Sequence, residues 1–271
     1  MNHVTRSPLR VRHRPRLRLL QVARTEHITP RIRRITLTGD DLEGFASAAA
    51  DDHVKLFFPA PGQERPVLPV MGAEGPTYRE GAIPSIVRDY TPRRFDPRTG
   101  ELDIEFVLHA DGPASDWAAQ AAPGQWIGVG GPRGSLLIPE DYATYLLAGD
   151  ETALPSIARR LEEMHSHQSV MALIEVADRG EKYPLRTAAN VAVSFLYRDG
   201  VAAGASTLLD RAVASLPLPD GETHAWLAGE IETIRRLKRL LTEEKGLSRD
   251  QIKAAGYWRV GEAGAHARLD D

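Results

Sequence analysis

Leu102-Asp103-Ile104-Glu105-Phe106-Val107-Leu108-His109-Ala110-Asp111-Gly112-Pro113-Ala114-Ser115-Asp116-Trp117 passes from a strand pattern into a helix start. Leu102, Ile104, Phe106 and Leu108 alternate with Asp103, Glu105, Val107 and His109, which predicts a half-buried strand ending with His109 on its polar face. Gly112-Pro113 breaks the strand. Pro113 suits the first turn of a short helix that Ser115 or Asp111 is placed to cap. The start of such a helix offers unpaired N–H groups and partial positive charge, a setting for a pyrophosphate.

Upstream lies Arg88-Asp89-Tyr90-Thr91-Pro92-Arg93. In an extended chain Arg88 and Tyr90 project to one side, while Thr91 and Arg93 point to the other or along the rim. Taken alone this is a surface strand with an exposed ion pair. Taken with the first stretch it reads as a flavin dinucleotide site. Such a cofactor needs a cation and N–H groups at its pyrophosphate, an aromatic against its rings and a small hydroxyl near its reactive nitrogen.

Outward from these segments the character of the chain changes near Pro139. Before it, strand-like runs recur at Leu17 to Arg24, Arg31 to Thr38, Val54 to Phe58, Arg88 to Arg93, Leu102 to His109 and Trp126 to Gly130, separated by turn residues. This spacing predicts a small antiparallel β-barrel. Pro59 to Pro84, rich in Pro and Gly, reads as a long loop without secondary structure. After Pro139, apolar runs at Tyr145 to Ala148, Val170 to Val176, Val191 to Tyr197 and Ala225 to Ala228 suit buried strands. Ala153, Ile157, Leu161 and Met164 share one helical face, as do Ile231, Ile234, Leu237 and Leu241. The second half is therefore an open α/β layer with a mostly parallel sheet. The expected organisation is a basic flexible tail over residues 1–16, a barrel over 17–139 and an α/β domain with a C-terminal extension over 140–271.

A chain of 271 residues, 42% hydrophobic, has room for two ordinary cores. Net charge is only −3, and residues 1–139 carry 18 Lys+Arg against 16 Asp+Glu, the rest 16 against 21, so neither half is a general nucleic-acid binder. Arg6, Arg10, Arg12, Arg14, Arg16 and Arg18 form a local exception, read as a solvated tail. No apolar run follows them as in a secretion signal, and none is long enough to span a membrane, so the cytoplasm is the expected location. The absence of cysteine removes disulfides, thiolate zinc sites, cysteine nucleophiles and cysteine-held iron–sulfur clusters. His165-Ser166-His167 follows a helix without a third ligand at metal spacing, and no metal site is expected.

Gly149-Asp150-Glu151-Thr152 ends the first apolar run of the second half, where Thr152 or Asp150 is able to cap the next helix. There is no G-x-G-x-x-G, and two carboxylates stand where a nicotinamide cofactor's pyrophosphate is expected, unfavourable unless they point away. Gly229-Glu230 ends a later run in the same way. Tyr257 and Trp258 either pack on a flavin or dock the chain end onto the core, and Glu262 to Asp271 reads as helical or frayed.

With these segments in view, the chain resembles the siderophore-interacting protein family of ferric-siderophore reductases, flavoproteins related to ferredoxin reductases. The likeness begins at His27-Ile28-Thr29-Pro30-Arg31-Ile32-Arg33-Arg34-Ile35-Thr36-Leu37, runs through His53-Val54-Lys55-Leu56-Phe57-Phe58-Pro59 and the two flavin segments, and continues into Gly130-Gly131-Pro132-Arg133-Gly134-Ser135. Gly149 to Pro155, Ala228-Gly229-Glu230 and Gly256-Tyr257-Trp258-Arg259-Val260-Gly261 extend it over nearly the whole chain.

The resemblance implies an N-terminal FAD-binding barrel and a nicotinamide-binding-like α/β domain. It implies electron relay from NADPH or NADH through FAD to a ferric siderophore, releasing Fe(II) for iron assimilation, with no protein general acid, base or nucleophile. Arg88, Tyr90, Thr91, His109, Asp111, Gly112, Pro113, Ala114, Ser115 and Trp117 fall to FAD, with Thr91 near flavin N5. Thr152 and Ala153 fall close to the flavin or nicotinamide rings, and Lys55, Arg133 and Arg259 form a basic group for the anionic chelate. Arg179, Lys182 and Arg198 are candidates for a 2′-phosphate, which favours NADPH. A monomer is expected. Two alternatives stand beside this reading: a general NAD(P)H diaphorase or reductase partner of another redox protein, and a ferric-siderophore binder without turnover.

Overall fold

Thirteen residues of alternating exposure, Leu17–Thr29, set the frame of the first unit, because Leu20 and Val22 turn inward while their neighbours face out. The structure, a computed structural model, describes residues 7–72, 75–110, 112–219 and 222–269. It divides into two units, Arg10–Leu137 and a second made of Ile138–Asp271 together with the residues up to Leu9, so that β1 starts at the boundary. In chain order the first contains β1 (Leu9–Arg12), β2 (Leu17–Thr29), β3 (Ile32–Thr38), β4 (Val54–Phe58), β5 (Val70–Gly72), β6 (Gly75–Thr77), β7 (Ile86–Tyr90), β8 (Pro92–Asp96), β9 (Glu101–Val107), helix α1 (Pro113–Gln120), β10 (Trp126–Gly130) and β11 (Gly134–Leu137).

Seven of these strands form an antiparallel sheet in the order β7-β4-β10-β2-β3-β9-β8. Its two edges, β7 and β8, are consecutive in the chain with only Thr91 between them. One residue spans a few ångströms, so the sheet has rolled until its edges meet, the expected barrel. Leu20, Ile35, Leu56, Leu102, Ile104, Phe106 and Ile127 fill it. The alternation in β9 holds, but its polar face is covered rather than wet. Asp103 accepts the Thr36 hydroxyl at 2.6 Å and Arg94 Nε at 2.9 Å, and Glu105 accepts Arg34 Nη2 at 2.6 Å.

Two expectations are corrected here. Pro59 to Pro84 is not without secondary structure, since β5 and β6 pair as an antiparallel ribbon. Nor is the arginine-rich start a free tail through residue 16. β1 lies beside β11, His13 N–H donates to the Arg133 carbonyl at 3.0 Å, and the His13 ring meets Ser135 Oγ at 2.7 Å. Backbone pairing holds this arm, and it needs no apolar periodicity.

The second unit holds β12 (Thr144–Asp150), α2 (Leu154–Glu163), β13 (Ser169–Val176), β14 (Asn190–Tyr197), α3 (Leu208–Ser215), β15 (Thr223–Glu230), α4 (Ile231–Glu243), β16 (Ile252–Trp258) and β17 (Ala267–Arg268). The sheet order is β14-β13-β12-β15-β16-β17, parallel except for β17. All four expected runs are strands, and the predicted stripes of α2 and α4 are buried. β16 was hidden by its small residues, Ala254, Ala255 and Gly256. The chain end, expected to be helical or frayed, supplies β17 instead, with Leu269 N–H on the Ala254 carbonyl at 3.1 Å. Strand order reverses between β12 and β15, the switch point at which open sheets of this class take ligands.

Candidate functional site: a barrel-edge cofactor cradle and a switch-point carboxylate

In the barrel unit, β7 pairs with β4 so that Arg88 stands opposite Leu56, Asp89 opposite Lys55 and Tyr90 opposite Val54. Opposed residues share a face, so Arg88 and Tyr90 lie on the side of the buried Val54 and Leu56, with Asp89 and Lys55 on the other. The Tyr90 ring sits 4.4 Å from that of Phe106, and Trp117 lies 5.8 Å from Phe106 and 5.5 Å from Phe58. Phe106 thus brings the two sequence segments together. Burial raises the Tyr90 phenol above its usual range, so it stays protonated. Thr91 is buried at the seam of the barrel.

Arg88 is half-buried, and its guanidinium donates to the Val87 carbonyl at 2.8 Å. No carboxylate of the described residues pairs with it.

α1 begins as predicted with Pro113 at its first position, but its N-cap is Gly112 and no side chain caps it. Ser115 is used otherwise: its hydroxyl donates to the His109 carbonyl at 2.7 Å and accepts His109 N–H at 2.8 Å, closing the loop. The other capping candidate, Asp111, lies outside the described residues. Ala114 and Ser115 N–H therefore start the helix without intrahelical acceptors. A Cβ at Gly112 would stand 2.4 Å from Cε1 of the exposed His109 ring, a clash that a turn of the ring relieves.

The three basic residues expected to meet substrate differ in their partners. Lys55 Nζ holds Asp89 at 2.9 Å, while Arg133 is exposed with no carboxylate of the described residues on its side chain. The register of Gly130 with Lys55 brings Lys55 to the turn carrying Arg133. Arg259, in the second unit, is held by Glu232 at 3.1 Å and Glu262 at 3.3 Å.

At the switch point, Asp150 is the hub. Its Oδ1 accepts the Thr152 N–H at 2.9 Å and the Thr152 hydroxyl, and its Oδ2 accepts Glu230 N–H at 2.9 Å and the Trp258 indole N–H at 2.8 Å. Burial, followed by the proximity of Glu151, pushes its carboxyl up to about 6. Neither Asp150 nor Thr152 caps α2, whose N-cap is Ala153 without a side-chain bond. Instead Asp150 turns inward and ties the ends of β12, β15 and β16. Glu230 caps α4 by accepting Thr233 N–H at 2.8 Å.

Arg198, expected as a 2′-phosphate ligand, is buried and committed. It grips both oxygens of Glu151 and lies 3.4 Å from Glu175. Arg179 and Lys182 are exposed, Arg179 with its guanidinium 5.1 Å from the Tyr197 ring. The Asp150–Trp258 bond, absent from the sequence reading, joins residues 108 apart in the chain and has no local signal.

Two family models match: the siderophore-interacting FAD-binding domain over residues 21–136 and siderophore-interacting protein over residues 142–261. An Escherichia coli protein named NADPH-dependent ferric-chelate reductase is 38% identical, covering 96% of this chain and 100% of its own. A Vibrio cholerae protein named ferric vibriobactin reductase ViuB is 33% identical over 90% of each. The crystal structure of a siderophore utilization protein from T. fusca is 40% identical, with a TM-score of 0.89, covering 96% of this chain and 98% of that one. On the order of its two domains and these matches, the chain belongs to the siderophore-interacting protein family.

Proposed function

We propose that the protein is a flavin-dependent reductase that takes electrons from NADPH or NADH and delivers them to a ferric siderophore. The carrying observation is Arg88, a half-buried guanidinium without a carboxylate partner among the described residues, on the same segment as Tyr90 and Thr91. The matches to proteins named as ferric-chelate and ferric-siderophore reductases support the choice of acceptor.

The residues fit FAD. Arg88 would neutralise its pyrophosphate, with N–H groups from Ala114 and Ser115 in the loop that His109, Gly112 and Pro113 shape. Tyr90 and Trp117 would shelve its rings, and Thr91 would hydrogen-bond them near N5. When bound, FAD supplies the conversion of a nicotinamide's electron pair into single electrons for Fe(III). The protein's part is to bind, orient and exclude water, and Thr152 and Ala153 are assigned to the border of the ring site. Lys55, Arg133 and Arg259 are assigned to the anionic chelate, with Arg133 the most available.

For the 2′-phosphate of NADPH, Arg179 and Lys182 remain, since Arg198 is held internally. The working form is a cytoplasmic monomer. No helix of the described residues is long and apolar enough to cross a membrane.

The test is an anaerobic spectrum of the purified protein, before and after NADPH, followed by a ferric siderophore in the same cuvette. Bleaching of the flavin band and its return with the ferric complex support the relay. A bound flavin that neither NADPH nor NADH bleaches counts against it, and failure to bind flavin after reconstitution overturns the reading.

A further inference from the structure

Most arginines of the described residues that make side-chain bonds find a carboxylate: Arg24 on Glu101, Arg34 on Glu105, Arg94 on Asp103, Arg198 on Glu151, Arg236 on Asp210. Arg33 and Arg88 are single exceptions, and one whole cluster is another. In the barrel unit a cleft of about 700 Å³ is lined by Arg12, His13, Arg14, Arg16 and Arg18 together with the Gly131-Pro132 turn. No carboxylate of the described residues pairs with Arg12, Arg14, Arg16 or Arg18.

Arg18 is buried, and its bonds go to main-chain carbonyls: Asp41 at 3.0 Å, Gly131 at 2.8 Å and Arg16 at 3.3 Å. Arg16 donates to the Glu43 carbonyl at 3.0 Å. The acid facing Arg18, Asp41, accepts Leu19 N–H at 2.9 Å and offsets part of the positive charge without forming an ion pair with Arg18. Burial, then the nearby Arg16 charge, lower the Arg18 pKa from its ordinary value. Like charges held this close repel, and a solvated run would relieve the repulsion by fanning out.

This arm is fixed in place. The His13 ring meets Ser135 Oγ at 2.7 Å, and Ser135 in turn donates to the buried Asp52 at 2.6 Å. Gly131 N–H donates to the Arg16 carbonyl at 3.1 Å. Gly134 lets the arm lie close, since a Cβ there would stand 2.6 Å from the Val11 carbonyl oxygen. The volume is that of a small-molecule site, and guanidinium forks match planar oxyanions.

We propose that this cleft binds a small polyanion carrying two or more carboxylate or phosphate groups. The inference stands without the reductase reading. The anion comes either from the carboxylate periphery of a metal chelate, reached past the neighbouring Arg133, or from a free metabolite.

The experiment is calorimetric titration of the full-length, flavin-loaded protein with citrate and with pyrophosphate. Binding tighter than about 1 mM is expected, weakened about tenfold or more in the Arg12→Ala/Arg14→Ala variant. Both side chains are exposed, so that variant should fold. Arg98→Ala, a charge loss on a side chain 88% exposed away from the cleft, should leave binding unchanged. Absence of binding to either anion, or equal weakening by Arg98→Ala, overturns the proposal. A gallium(III) citrate chelate, which is not reduced by the enzyme, separates the sources: its loss of affinity in the double variant assigns the cleft to the chelate, and its indifference with citrate still bound assigns it to a free anion. Because none of the three probes accepts electrons, failure here is distinct from failure of the electron relay.

Discussion

Asp150 accepts the indole N–H of Trp258 at 2.8 Å, and the same oxygen holds Glu230 N–H. One carboxylate therefore ties β12, β15 and β16 together where they end. Its pKa is raised in the folded state, from 3.8 to about 6, so its favourable contribution is full below 3.8 and is lost as pH rises through about 6. Denaturant melts across this window should show that loss in the wild type. In Asp150→Asn the titration disappears, yet stability at neutral pH falls by about 1–3 kcal/mol, because an amide puts an N–H₂ against donors that need acceptors.

Gly229 makes the second prediction. Its φ is +148°, and a Cβ would stand 2.6 Å from Asp150 Oδ2. Gly229→Ala should cost about 1–3 kcal/mol through backbone strain alone, and more if Asp150 moves. Trp258 fluorescence reports that displacement.

Arg88→Ala should weaken FAD retention by roughly one to two orders of magnitude, the worth of one charge-assisted hydrogen bond. Folding should be little affected, since Arg88 donates only to its neighbour's carbonyl. Flavin occupancy after dilution checks the first, and a thermal melt of the apoprotein the second.

Asp89→Asn should release Lys55 and lower the KM for an anionic ferric chelate several-fold at low ionic strength, an advantage that salt erases. Stability should hardly change, as exposed ion pairs contribute about 0–1 kcal/mol. Arg133→Ala should do the reverse, raising the chelate KM while leaving NADPH oxidation by a small acceptor intact. Steady-state kinetics at two salt concentrations distinguish both.

What the sequence made legible was local. Alternation in Leu102 to His109 located β9, the Gly112-Pro113 break located α1, and helical stripes located α2 and α4. What escaped it was partnership across the chain. Arg198 looks like a ligand for a phosphate until Glu151 and Glu175 are folded against it, and Ser115 looks like a cap until its hydroxyl turns back to His109. The arginine-rich start carries no apolar pattern, so nothing local says that β11 would claim it. β16 is concealed because its middle is built from the small residues Ala254, Ala255 and Gly256, which carry little apolar signal of their own and pack close under α4, as the nearness of Gly256 to Ile231 records.

The seam at Thr91 has a further meaning. Since β7 and β8 are opposite edges of one sheet joined by a single residue, Arg88 and Tyr90 lie on the strand that ends at the join. Thr91, buried at that seam, carries the chain from one edge of the sheet to the other, and the bulge between Pro92 and Arg94 takes up the turn. A ligand held by Arg88 would therefore rest on the line where the sheet closes on itself, and whatever loosened that closure would loosen its seat.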